Sequence, residues 1–305
     1  MTENKEAYML QRDSKESVRL NGQHEFMRAL SSNNLIHPSI PRGSLQAIAD
    51  VGTGTGVWLE GTAHDLSTSG NPSGNIEFVG FDSLSLSNSE KFDVVHVRLL
   101  SYAIKAHDLL KAVENVVEIL GPGGYLQWQE CDAIDSWATP ENSTARLMVQ
   151  YVVSERIATG LTPAIVTPLI KTIQSLSKSH IAGTLNPINW SDETMRITHL
   201  ETLSTTGHPS ITIQDEKTSL IKNTAIQFLH AGASRRQARA TDVHTSASES
   251  RELVKDAEAM KDLARGLQED DAGTETSWNL AMTWIVARKA VLFREHEAWM
   301  SARYI

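Results

Sequence analysis

The residues of this chain best placed to do chemistry are an acid and three glycines at two-residue spacing. Asp50 ends the apolar run LQAIAD, and Gly52, Gly54 and Gly56 follow in DVGTGTG at 50–56. Glycine allows a sharp backbone turn with positive φ and lets a ligand lie where a β-carbon would obstruct it. The next segment, VWLEGTAHDL at 57–66, has the apolar spacing of an amphipathic helix, whose first N–H groups would face whatever sits in the turn. Strand, glycine turn and helix in that order make the first βα turn of a nucleotide-type site. Asp82 ends the next apolar run, IEFVGF, close to the usual separation of about 20 residues from such a turn. An acid at that strand end can take both hydroxyls of a ribose, which suits a nucleoside-containing cofactor.

Further along, FDVVHVRLL at 92–100 carries His96 and Arg98, and YLQWQE at 125–130 carries Trp128, Gln129 and Glu130. His96, Glu130 and Asp132 are candidates for a general base, without geometry to choose among them. His24 and His37 could face a ligand, although structural roles are the simpler reading. The cluster Arg235, Arg236 and Arg239 reads as a solvated helix face.

These residues need a parallel sheet to hold them. The run at 92–100 is apolar enough for a strand buried on both faces. A helix-like stretch at 105–120 follows, stopped by GPGG at 121–124, and another strand begins at 125. Strand, helix, turn and strand form a βαβ unit, so the sheet is mostly parallel. An apolar stripe at 17–30, followed by Pro38 and Pro41, predicts a helical N-terminal cover. Helices are expected at 143–159, 163–179, 215–240 and 248–269, a late strand at 195–203 and a last strand at 280–286. The helices between the late strands would make a cap.

Composition narrows the partners. The chain has 305 residues, 40% hydrophobic and 21% charged, with a formal net charge of −9. That allows a sizeable core and lacks the basic footprint of a nucleic-acid-binding surface. Cys131 is the only cysteine, which excludes an intrachain disulfide and a cysteine-based zinc site. No metal-ligand cluster is evident. No apolar run approaches the roughly 18–20 residues of a membrane span, and the polar N-terminus lacks a secretory core, so a cytoplasmic protein is expected. The expected partner is a small-molecule substrate, with no nucleic acid, no membrane and no protein partner indicated.

The motifs together resemble a known family. The acid-x-G-x-G-x-G form of DVGTGTG is similar to class I S-adenosylmethionine-dependent methyltransferases. RLNGQHEF at 19–26, LIHPSIP at 35–41, DVGTGTGVWL at 50–59, KFDVVHVRLL at 91–100, GPGGYLQWQE at 121–130 and MTWIVARK at 282–289 resemble the fungal secondary-metabolite branch, of the gliotoxin N-methyltransferase type. The resemblance implies an α/β, Rossmann-like sheet, mostly parallel with an antiparallel last strand, in a single domain over 1–305. Within it, 1–44 would be the helical cover, 45–130 the cofactor-binding half, 131–279 the helical cap with a late strand, and 280–305 the last strand and tail.

The same resemblance implies S-adenosyl-L-methionine as cofactor and methyl transfer to N or O of a small secondary metabolite. Asp50, Gly52, Thr53, Gly54 and Gly56 would hold its methionine end, Asp82 its ribose, and Arg98 would lie at the floor of the site beside His96. Trp128, Gln129 and His24 would line the substrate side.

One departure stands out. Only residues 83–91 (SLSLSNSEK) join the second strand to the strand at 92, where the family has a helix and a third, edge strand. The connection needs to span roughly 20 Å, and an extended chain of that length reaches roughly 30 Å. The usual third strand is therefore expected to be lacking. An alternative reading keeps the fold and drops the reaction: a protein that binds a ligand or partner, guides a rearrangement, or is an inactive shortened form.

Overall fold

A computed structural model describes residues 13–31, 33–68, 77–81, 91–135, 137–139, 144–178, 196–204, 212–269 and 277–289. In chain order the helices and strands are α1 (Ser14–Leu30), β1 (Ala47–Val51), α2 (Val57–Thr68), β2 (Glu77–Phe81), β3 (Phe92–Arg98), α3 (Leu109–Glu118), β4 (Leu120–Cys131), β5 (Trp137–Thr139), α4 (Thr144–Ala158), α5 (Val166–Lys178), β6 (Arg196–Ser204), α6 (Thr212–Ala240), α7 (Ala247–Glu269) and β7 (Ser277–Arg288). They divide between two compact units. The first is Met1–Phe26, Asp132–Pro163 and Thr202–Ala281; the second is Met27–Cys131, Ala164–Glu201 and Met282–Ile305.

The second unit holds the sheet. Its strand order is β2-β1-β3-β4-β7, in which the first four strands run parallel and β7 runs antiparallel to β4. This is the expected Rossmann-like arrangement with an antiparallel last strand. Among the described residues β2 is the edge, and β1 pairs directly with both β2 and β3. The chain runs outward from β1 to β2, then crosses to β3 on the other side of β1. That reversal opens a crevice beyond the carboxyl ends of β1 and β3, where ligands bind in open α/β sheets. Asp82 and most of the 83–91 connection lie outside the described residues.

Alternation along the strands sorts side chains onto two faces. Ala47, Ala49, Val51, Val95, Val97, Leu126, Trp128, Ile285 and Ala287 face α3 and α5 in one buried cluster. Ile48, Val94, Trp284 and Val286 face the other way, packed with Trp58 and Leu66 of α2 and with Leu35, Ile36, Ile40 and Leu45 of the segment before β1. The GPGG stretch does more than stop a helix. β4 begins at Leu120, pairs there with Phe92, and shifts register before Val94 meets Tyr125. A β-carbon at Gly124 would stand 2.7 Å from the Phe92 carbonyl oxygen, so glycine lets the two strands close through the irregularity.

The first unit packs α4, α6 and α7 around Met148, Ala225, Leu229, Ala257, Met260 and Leu267. Trp137–Thr139 pairs antiparallel with Ser277–Asn279. The arginine cluster on α6 differs from a solvated face: Arg235 and Arg236 both pair with the buried Glu155 of α4, and Arg239 pairs with Glu249. Glu155 faces α6, so the helix-helix contact draws two of the three guanidinium groups inward. Among the described residues no helix is long and apolar enough to cross a membrane.

Candidate functional site

The glycine turn sits where the topology predicts a ligand, directly after β1. Gly52, Gly54 and Gly56 all have positive φ, at 73°, 58° and 80°. They are not equivalent. A β-carbon on Gly52 would lie 2.7 Å from Leu100 Cδ2, whereas one on Gly56 would meet nothing within 4 Å. Gly54 is exposed. The turn is thus packed against the protein at its first glycine and faces open space at its last, the cradle expected for a ligand. α2 starts immediately afterwards, so the amide groups of its first turn and its positive dipole end border that space.

Asp50 and Arg98 supply the charge. In the β1–β3 register Asp50 lies opposite His96, and Arg98 follows two residues later on the same face. Asp50 is only 3% exposed. Burial pushes its carboxyl up to about 6, opposed by the Arg98 charge and by the nearby Thr53 hydroxyl. Burial likewise brings Arg98 down to about 10, opposed by Asp50. The two opposite charges attract each other across the carboxyl ends of adjacent strands. A cationic ligand group placed beside Asp50 would favour its ionised form further.

His96 lies beneath this pair, fully buried. Trp58, from the first turn of α2, stacks on its ring with centroids 3.8 Å apart and planes 11° from parallel. Gln127 fixes the tautomer. Its Oε1 accepts the His37 backbone N–H at 2.8 Å, and its Nε2 donates to the Leu35 carbonyl at 2.9 Å. Those two partners leave no choice of amide orientation, so Nε2 also donates to His96 Nδ1 at 2.9 Å. His96 is therefore the neutral imidazole with its proton on Nε2, and the geometry makes it a keystone between β3, β4, α2 and the 35–45 segment. Next to it, His37 accepts from the Ser39 N–H at Nδ1 and meets Trp284 edge-on, with centroids 4.7 Å apart.

The remaining residues fall in separate places. Trp128 and Gln129, read together as substrate-side groups, point to opposite faces of β4. Trp128 belongs to the core against α3 and α5, and Gln129 shares the face of Arg98. Glu130 is fully buried; its Oε2 accepts the Ser101 N–H at 3.1 Å and its Oε1 accepts the Cys131 N–H at 3.1 Å. His24 is buried on α1, in the part of the chain assigned to the first unit. Sequence reasoning missed Trp58, Leu100, Ser101 and Gln127 as parts of the site. For Gln127 a signal existed: polar residues at 127 and 129 alternate with Leu126 and Trp128, as His96 and Arg98 alternate with Val95 and Val97.

Leu99 closes the picture. It leaves β3 in the left-handed region, with φ 52° and ψ 41°, a conformation that costs a non-glycine residue roughly 1–2 kcal/mol. Its N–H donates to the Gln129 carbonyl at 2.9 Å, and the short helix Leu100–Tyr102 follows. The turn carries Leu100 back onto Gly52.

An amino-acid group fits what this region offers. Its carboxylate would find amide groups at a helix start, its ammonium would find a buried acid, and open space lies where a β-carbon is missing. The methionine end of S-adenosylmethionine is such a group.

Comparison with known proteins points to methyltransferases. No protein-family profile matches the chain. Methyltransferase grgD of a Penicillium species is 35% identical over 155 residues, covering 43% of this chain and 54% of the relative. Methyltransferase pytC of Aspergillus terreus is 31% identical over 179 residues, covering 52% and 54%. The secondary metabolism regulator laeA of Coprinopsis cinerea is 32% identical over 105 residues, covering 27% and 24%. The matches with the two methyltransferases span about half the length of each. With its Rossmann-like sheet and its glycine turn at the switch point, the chain resembles the fungal methyltransferases that the motifs pointed to.

Proposed function

We propose that this chain is an S-adenosylmethionine-dependent methyltransferase that methylates N or O of a small-molecule secondary metabolite. The observation that carries the reading is the glycine turn, exposed at Gly54, open at Gly56 and set between the buried Asp50 and the start of α2. The likeness to grgD and pytC supports it. When bound, the cofactor supplies an electrophilic sulfonium methyl group to a substrate nucleophile. Asp50 would meet the ammonium of its methionine end, and the backbone at 52–56 with the first turn of α2 would hold the carboxylate. Arg98 opposes the burial that disfavours the Asp50 charge, and the stacked, buried His96 and Trp58 tie α2 to the sheet. These residues align and exclude water rather than exchange protons, the type of catalysis that depends on positioning. Asp82 is the proposed ribose ligand, and Gln129 is proposed to face the substrate.

Calorimetric titration with S-adenosylmethionine and S-adenosylhomocysteine tests the proposal. Micromolar binding of both is expected, and no binding at millimolar ligand would refute it. A second reading, in which the protein regulates without methylating, draws on the similarity to laeA. Cofactor binding together with methyl transfer to small-molecule acceptors in an extract of the source organism would separate the two.

A further inference from the structure

We propose that Glu130 is a positioning residue of the cofactor turn: by holding the Ser101 N–H it seats Leu100 against Gly52 and so sets the shape of residues 52–56. The inference rests on reading that turn as the cofactor site. β4 grips the segment after β3 at two consecutive residues. Gln129 does so with its backbone carbonyl, which accepts the Leu99 N–H at 2.9 Å. Glu130 does so with its side chain, whose Oε2 accepts the Ser101 N–H at 3.1 Å. Both Glu130 and Ser101 are fully buried, so the N–H has no water to turn to if the carboxylate is removed.

Between those two anchored residues stands Leu100. Its carbonyl accepts the Ala103 and Ile104 N–H groups, at 2.8 and 3.1 Å, which closes the short helical turn behind it. Its side chain occupies the space beside Gly52, within 2.7 Å of where a β-carbon would be. Gly52 adopts φ 73° there, a conformation that leaves the turn free to shift unless something packs against it. The order of influence is therefore Glu130, Ser101, Leu100, Gly52, and then the open glycines Gly54 and Gly56. Leu99, held in the left-handed region, is the bend that makes this return possible. Through these backbone N–H groups the carboxylate acts on the ligand by way of the turn.

Hydrogen exchange in the ligand-free protein tests the idea without any need for turnover. Glu130→Ala should raise exchange across residues 52–56 about tenfold, the effect of losing roughly one charge-assisted hydrogen bond. Glu130→Gln should fall between, because its amide oxygen still accepts one N–H. Leu100→Ala should give a similar rise, and the double variant should be little worse than either single one, the sign of one shared pathway. S-adenosylhomocysteine affinity should weaken in parallel, also by about tenfold. Unchanged exchange at 52–56 in Glu130→Ala, or fully additive effects in the double variant, would overturn the proposal. If Glu130→Ala does not fold, Leu100→Ala and Glu130→Gln carry the same comparison. Should the wild type bind no S-adenosylhomocysteine, the methyltransferase reading fails while the exchange data still decide the role of Glu130.

Discussion

Trp58 lies flat on His96, with ring centroids 3.8 Å apart and planes 11° from parallel, and this stack joins the first turn of α2 to the middle of the sheet. Both rings are almost wholly buried. Removing the indole leaves a cavity beneath the helix whose amide groups border the ligand space. Trp58→Ala should cost about 3–5 kcal/mol by urea denaturation, the usual penalty for deleting a large core aromatic, and Trp58→Phe less than half of that. A loss below about 1 kcal/mol for Trp58→Ala would show that α2 is held elsewhere.

The tautomer of His96 is a second expectation. Gln127 donates to its Nδ1, so nitrogen-15 spectra of the folded protein should show a neutral ring protonated at Nε2. Gln127→Leu removes the acceptor for the His37 N–H and the donor to Leu35 together, leaving buried backbone groups unpaired. The loss should be about 2–4 kcal/mol. A ring protonated at Nδ1 would contradict the hydrogen-bond network.

Asp50 sets a pH dependence. Its folded pKa, about 6, lies above the ordinary value of 3.8, so between these values the native state holds a proton that the unfolded chain releases. The stability linked to this group is present below pH 4 and declines as the pH rises through 6. Asp50→Asn should therefore stabilise the ligand-free protein at pH 7.5, by up to about 3 kcal/mol, and change little at pH 4. It should at the same time abolish S-adenosylhomocysteine binding. Denaturation of both proteins at the two pH values, with one calorimetric titration, checks both halves. A destabilised Asp50→Asn at pH 7.5 would mean that the attraction of Arg98 outweighs the burial cost.

Gly52 and Gly56 should separate by variant. Gly56→Ala meets open space and bears only the backbone penalty of a positive φ, roughly 1–2 kcal/mol, yet it places a methyl group in the cradle. It should fold and lose ligand affinity at least tenfold. Gly52→Ala adds a collision with Leu100 and should destabilise the protein clearly more, with part of the excess recovered in a Gly52→Ala, Leu100→Ala double variant. Equal stability losses at the two positions would remove the distinction between the packed and the open end of the turn.

Much of this architecture could be read from local pattern. The strands at β1, β3 and β7, the glycine turn and the helix after it follow from apolar periodicity and from glycine, which act over a few residues, whereas the antiparallel direction of β7 was implied only by the family resemblance. The acid at 50 and the paired polar positions at 96 and 98 were visible for the same reason. Partnerships between distant residues were not. Gln127 reaches Leu35 and His37 about 90 positions away, and nothing in the local sequence names those partners.

The sequence by itself determined that an acid and three glycines follow a buried strand and precede a helix, because propensity and side-chain alternation are properties of the local chain. Only the tertiary structure decided that Gly52 is packed and Gly56 open, that Trp128 and Gln129 part to opposite faces, and that Glu130 serves a turn. Each of those depends on which strand lies beside which, and strand order is fixed by burial of the sheet's two faces, to which residues from the whole second unit contribute.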